Sequence, residues 1–256
     1  MRLGSRALPR CRGAQLTHRL SPSPNHGERR DGARPRFVVI HYTAMASCAA
    51  AEARLRDPAF EVSAHWLIGR DGEVISLVPE ERRAWHAGAG EWRGCRDINS
   101  ASIGIELDND GRSAFPGAQI AALEAVLRGI RTRWQIGADG VIGHADMAYL
   151  RKSDPGPLFP WGRLHKAGLA VAPPPVIPAR GRPLSLAEVI GRLCRFGYRR
   201  PEGADESRAM LIAVKDRFLP FWRDAPLLPE RGADEPHLVE LSGLALALGG
   251  APRPGD

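Results

Sequence analysis

Lysine is nearly missing from this chain. Only Lys152, Lys166 and Lys215 carry an ammonium, and every other cation among the 36 basic residues is an arginine. Cysteine is scarce as well. Cys11, Cys48, Cys95 and Cys194 stand apart with no C-x-x-C pair, which argues against a thiolate metal centre or a redox motif. A chain of 256 residues can build a full core without a disulfide framework, so four reduced thiols are expected. No stretch approaches the roughly 20 apolar residues of a membrane span. The opening segment is basic but has no apolar run, a poor secretory signal. A cytoplasmic protein is the expectation, with the cell envelope or periplasm as the alternative.

The net charge of +7 raises the question of nucleic acid. The cations are spread along the chain, however, and no basic block is interleaved with aromatics. Nucleic acid is therefore not expected as a partner, and an anionic substrate or polymer fits the charge equally well.

Periodicity and punctuation divide the chain into four parts. Residues 1–35 are rich in Arg, Pro, Ser and Gly and read as an irregular arm. Residues 36–170 read as α/β. "RFVVIHYT" is a buried strand with a polar end, and "SCAAAEARL" has helical composition. "VSAHWLIG" and "EVISLVP" flank an Asp-Gly turn, which predicts a hairpin. "SIGIEL" is a further strand, "AQIAALEAVLRGIRTRW" has apolar residues at helical spacing, and "GVIGHAD" is a strand running into a loop. Residues 171–183, "VAPPPVIPARGRP", cannot hold a helix or central strand and read as a linker. Residues 184–250 open on "SLAE", a capping box, and hold three helical patterns, a small three-helix module.

Polar residues at strand ends are where sites form in open α/β sheets. His41 ends the first strand, His144 ends the late one, and Asp154 lies in the loop beyond it. Two histidines and a carboxylate are a common zinc set that leaves a fourth position open. Spacing alone leaves the alternative that each histidine is a structural hydrogen-bonder. Glu106 is a carboxylate in an apolar strand, costly unless it is paired, protonated or placed at a site. A general base is one reading and an arginine partner the other. Lys152 stands two residues before Asp154, and an ammonium is a compact donor that suits a developing oxyanion. A chance placement of one lysine in three is the alternative. His65 and His86 sit among apolar residues, where they are either ligands or buried hydrogen-bonders.

Taken together, "VVIHYTA", "SAHWLIGRDGEVISLVPEERRAWHAG", "NSASIGIELDN", "GHADMA" and "RKSDPGPLFPW" resemble the zinc-dependent N-acetylmuramoyl-L-alanine amidases of the type 2 amidase family. These are relatives of the peptidoglycan recognition proteins and phage T7 lysozyme. The likeness runs over residues 36–168, with the five motifs in the family's order. "FGY" and "AVKDRF" more weakly resemble the peptidoglycan-binding-like module of some such amidases. The resemblance implies a central mixed β-sheet flanked by helices, and Zn²⁺ held by His41, His144 and Asp154. It matches Glu106 to the catalytic glutamate and Lys152 to the catalytic lysine. Trp85, His86 and Trp92 are candidate groove residues for sugar or peptide, with core packing as the other reading for Trp85. In the phage and recognition-protein relatives a tyrosine precedes the position of His65. Ala64 stands there here, so Glu106 is expected to take that role. Asp154 replaces the cysteine of those relatives, which points to the bacterial branch.

The reaction so implied is hydrolysis of the amide between the lactyl group of N-acetylmuramic acid, or its anhydro form, and L-alanine. Its partners would be peptidoglycan fragments or polymer. A non-catalytic binder on the same fold and a zinc peptidase cutting within the stem peptide are the rival readings.

Overall fold

The computed structural model describes residues 18–171 and 184–219, together with residues 244, 245 and 248. In chain order the strands are β1 (His18–Leu20), β2 (His26–Gly27), β3 (Phe37–Tyr42), β4 (Trp66–Ile68), β5 (Val74–Ser76), β6 (Arg83–Ala84), β7 (Ser102–Leu107) and β8 (Val141–Gly143). The helices are α1 (Cys48–Arg56), α2 (Ile98–Ala101), α3 (Gly117–Trp134), α4 (His144–Ala148), α5 (Trp161–Lys166), α6 (Leu186–Phe196) and α7 (Ala204–Phe218). Six strands form a mixed sheet in the order β1-β5-β4-β7-β3-β8, and β2 and β6 pair separately. Only β4 and β5 run antiparallel within the large sheet, joined by the Asp-Gly turn that the sequence predicts. Gly72 in that turn has φ +92, and a β-carbon there would lie 3.0 Å from the carbonyl oxygen of Ala118. Glycine meets both demands.

β3 is apolar almost throughout because both its faces are covered. Successive side chains point to opposite faces. Val38 and Ile40 pack with Ile103, Ile105 and Val141 against Ile120, Leu123, Leu127 and Ile130 of α3. Phe37, Val39 and Ile142 face the other way, into a cluster with Val189 and Leu193 of α6 and Met210, Leu211 and Val214 of α7. Burial of each such aliphatic side chain stabilises by about 1.5–3 kcal/mol. Leu123→Ala in the α3 face would cost about 2–5 kcal/mol. A third cluster seats Ala51 and Leu55 of α1 over Leu67, Ile75 and Leu77.

Several expectations need correction. The arm is not irregular throughout, because β1 adds to the sheet edge in parallel register with β5, His18 opposite Val74. Arg19 holds it there through Glu73 at 2.8 Å and Glu52 at 2.6 Å. The strand ending at Gly143 leads into α4 rather than a loop, with His144 as the first helical residue. The capping box at Ser185 forms as expected, Glu188 accepting from the Ser185 N–H at 2.7 Å. Two of the three C-terminal helices are present as α6 and α7. Most of the third pattern, the proline-rich linker beyond Val171 and residues 1–17 lie outside the described residues. Leu244, Ala245 and Leu248 are helical and buried in the same cluster as α6 and α7. The C-terminal helices therefore share a core with the sheet. Among the described residues no helix is long and apolar enough to cross a membrane.

Candidate active site

Strand register brings the site together. His41 on β3 stands opposite Glu106 on the parallel neighbour β7, both near the C-terminal ends of their strands. On the other side of β3, Ile40 pairs with Gly143, so His144 emerges beside His41. Asp154 is carried back to the same place by a loop closed on α4, where the Ala145 N–H donates to the Asp154 carbonyl at 2.8 Å. The Asp154–Pro155 peptide is cis.

Three acceptor atoms converge as a result. His41 Nδ1 lies 2.9 Å from His144 Nδ1, and each lies 3.0 Å from Oδ2 of Asp154. All three side chains are buried. Among the described residues this is the single group of three such side chains with geometry able to hold a metal ion.

The surrounding hydrogen bonds decide which nitrogens carry protons. The Ser102 hydroxyl donates to the Ile98 carbonyl at 2.6 Å, so toward His86 Nε2, 3.2 Å away, it accepts. Burial, with help from His41, holds the His86 pKa well below its ordinary value. Neutral His86 protonated on Nε2 has a bare Nδ1, which accepts from His41 Nε2 at 3.0 Å. Burial and the neighbouring His144 push His41 down to about 4, so His41 is neutral too and its Nδ1 is bare. His144 Nε2 donates to the Ala87 carbonyl at 2.8 Å, and in the tautomer that this bond selects Nδ1 is bare. Two imidazole lone pairs and a carboxylate oxygen thus face one another with no donor between them. Such a set repels itself until a cation joins it. Lone-pair atoms about 3 Å apart fit ligands each about 2.0–2.2 Å from one ion. Both histidines also have the outer hydrogen bond that fixes a metal ligand's tautomer and orientation.

Beside these ligands a groove of about 640 Å³ opens. Glu106, Lys152, Trp85, His86, Arg54, Arg151 and Ser153 are among its walls. Burial, reinforced by the charge of Asp154 and opposed by Lys152, pushes the Glu106 carboxyl up to about 8. Its Oε2 is buried without a hydrogen-bond partner, and among the described residues no arginine pairs with it. Lys152 is exposed on the groove lip.

Of the proposed groove residues, Trp85 lines the wall. His86 lines it too, but its Nδ1 accepts from His41 and its Nε2 donates to the Ser102 hydroxyl. Trp92 requires correction. It is fully buried, its ring 5.7 Å from Phe196 and 4.9 Å from Tyr198, so the C-terminal helices cover it and substrate does not reach it. His65 is not a ligand either. Its Nδ1 accepts from the Gly104 N–H at 2.9 Å and its Nε2 donates to the Arg82 carbonyl at 3.1 Å. Sequence reasoning missed Arg54 and Arg151. Arg151 adjoins Lys152 in the same loop and could have been read from that. Arg54 lies 3.6 Å over the Phe60 ring, a placement with no sequence signal.

The N-acetylmuramoyl-L-alanine amidase family matches residues 31–157. The amidase AmiD of Escherichia coli (strain K12) is 37% identical over 212 residues, 73% of this chain and 76% of that protein. The 1,6-anhydro-N-acetylmuramyl-L-alanine amidase AmpD of Enterobacter cloacae is 35% identical over 161 residues, 56% of this chain and 86% of that one. AmiD solved with the substrate anhydro-N-acetylmuramic acid-L-Ala-D-γ-Glu-L-Lys superposes with a TM-score of 0.71 at 34% identity, covering 85% of this chain and 90% of that one. With its mixed sheet, its five motifs in order and its converging ligand set, the chain belongs to the N-acetylmuramoyl-L-alanine amidase family.

Proposed function

We propose that this protein is a zinc amidase that cuts the bond between the lactyl group of N-acetylmuramic acid, or its anhydro form, and the L-alanine of a peptide. The observation that carries this reading is the convergence of His41 Nδ1, His144 Nδ1 and Asp154 Oδ2, with no donor among them, at the floor of a groove that also presents Glu106 and Lys152. His41, His144 and Asp154 would hold the zinc. Zinc bound there would polarise the scissile carbonyl and lower the pKa of a coordinated water to about 7.

The chain's own groups do the rest. Glu106 acts as its carboxylate, the form that Lys152 favours and that the positive charge of a zinc ion held at the ligands would favour further. Its unpartnered Oε2 takes a proton from the attacking water as the new C–O bond forms. Lys152 faces the negative charge that develops on the carbonyl oxygen. A donor in that role is worth roughly 10²–10³ in rate. As the C–N bond breaks, Glu106 returns the proton to the departing amine. The water oxygen ends in the lactyl carboxylate, and L-alanine leaves with a free amino group. Trp85 offers an apolar wall to sugar or peptide.

Mass spectrometry of products from soluble anhydro-muropeptide and from intact sacculi tests the proposal. A released peptide beginning with L-alanine, with the lactyl carboxylate left on the sugar, is expected. Cleavage within the peptide, or none by zinc-loaded protein, overturns it.

A further inference from the structure

Asp146 lies two residues beyond His144 in the first turn of α4. Its Oδ2 accepts from the Gly143 N–H at 2.7 Å, which caps the helix that bears the ligand. Its other two partners come from the C-terminal helices. The Tyr198 hydroxyl, just past α6, donates to Oδ1 at 2.5 Å. Arg217, near the end of α7, donates from Nη1 to Oδ2. Arg217 also donates from Nη2 to the Val141 carbonyl at 3.0 Å, and its guanidinium stands 4.5 Å from the Trp161 ring centroid. One side chain thus touches the strand before the ligand, the helix that carries it, and the helix after the Asp154 loop. Asp146, Tyr198 and Arg217 are all at least 97% buried.

A buried ion pair of this kind adds little stability over apolar packing of the same volume, and its best-attested use is to select one arrangement of the chain. Here the arrangement it selects is the entry of α4. We infer that Arg217 and Tyr198 are positioning residues. They hold His144 on line with His41 and Asp154, so the C-terminal helices are a working part of the metal site rather than a detachable wall-binding module. The inference rests on the zinc-amidase reading above.

The test uses the full chain and measures two quantities, zinc affinity by competition with a chromophoric chelator and melting temperature without metal. Tyr198→Phe and Arg217→Met should weaken zinc binding roughly 10–100-fold, the range for groups behind metal ligands, with Arg217→Lys in between. Leu211→Ala serves as the control. Leu211 is buried in the same cluster, and that variant should lower the melting temperature while keeping zinc affinity within about two-fold of wild type. If Arg217→Met does not fold, Tyr198→Phe, which keeps the ring, decides. The positioning role is overturned if the folded variants bind zinc like wild type, or if Leu211→Ala weakens zinc as much as they do. A wild-type chain that takes up no zinc overturns the amidase reading, and the positioning role with it.

Discussion

The ring of His86 fills the space that a side chain on Gly104 would need. A β-carbon built there would lie 2.4 Å from Cγ of His86. Gly104 is two residues before Glu106 on the same strand face, so the glycine of "GIEL" makes room for the imidazole that orients His41. Gly104→Ala should push His86 out of line and weaken zinc roughly 10–100-fold, since it disrupts a group behind a ligand. Chelator competition on the folded variant measures this. Unchanged affinity would show that His41 keeps its orientation without His86.

Glu106→Gln keeps the shape of the side chain and removes the base. Turnover should fall roughly 10²–10⁴-fold, while zinc content by elemental analysis stays at the wild-type level. Near wild-type turnover would remove Glu106 from the chemistry. Asp154→Ala should do the reverse, and lose the metal first.

The same carboxyl has a signature in the metal-free protein. Its pKa is raised from 4.5 to about 8 by burial. Between those values the folded chain keeps a proton that the unfolded chain has released, so stability falls as pH rises. The contribution is fully present below about 4.5 and lost as pH passes through about 8. Buried histidines such as His65, pushed down to about 3 by burial, act in the opposite direction but are common to wild type and variant. Denaturant unfolding of metal-free wild type and Glu106→Gln across this range should show wild type losing ground to the variant as pH rises. Parallel curves would contradict the raised pKa.

Lys152→Arg tests whether charge alone suffices. A planar guanidinium presents its donors differently from a compact ammonium. The expected outcome is a fall in kcat approaching that of Lys152→Ala, roughly 10²–10³-fold, with KM little changed. Full activity of Lys152→Arg would reduce Lys152 to a source of general positive potential.

The two tryptophans should separate cleanly. Trp92→Ala removes a fully buried ring packed on Phe196 and Tyr198 and should cost about 3–5 kcal/mol of stability. Trp85→Ala leaves the core intact and should raise KM for muropeptide. Steady-state kinetics beside thermal unfolding distinguishes them.

Much of this was legible in the sequence because it lies in strands and in one loop. His41 and Glu106 stand out as polar residues at matching ends of apolar strands, and register then makes them neighbours. Asp154 is conspicuous among prolines. Other features left no such mark. β1 is three residues long in an arginine- and proline-rich context, and its pairing depends on β5 already being in place. Trp85 and Trp92 look alike in sequence, and only the packing of α6 decides which one faces the groove. The Arg217–Asp146 pair spans 71 residues, and nothing in the local sequence of either residue points to the other as its partner.

The loop closed by the Ala145 N–H on the Asp154 carbonyl puts two ligands within one short segment, while His41 comes from a strand more than a hundred residues earlier. A metal at this site is therefore a cross-link between early and late parts of the chain. Local opening around α4 loses two of the three bonds at once, and loss of β3 leaves only a weak bidentate remnant. Metal binding should thus be coupled to the cooperative unfolding of the whole sheet, with stability rising as the logarithm of free metal concentration once the site is saturated. For this fold the ion is a clasp as well as a reagent.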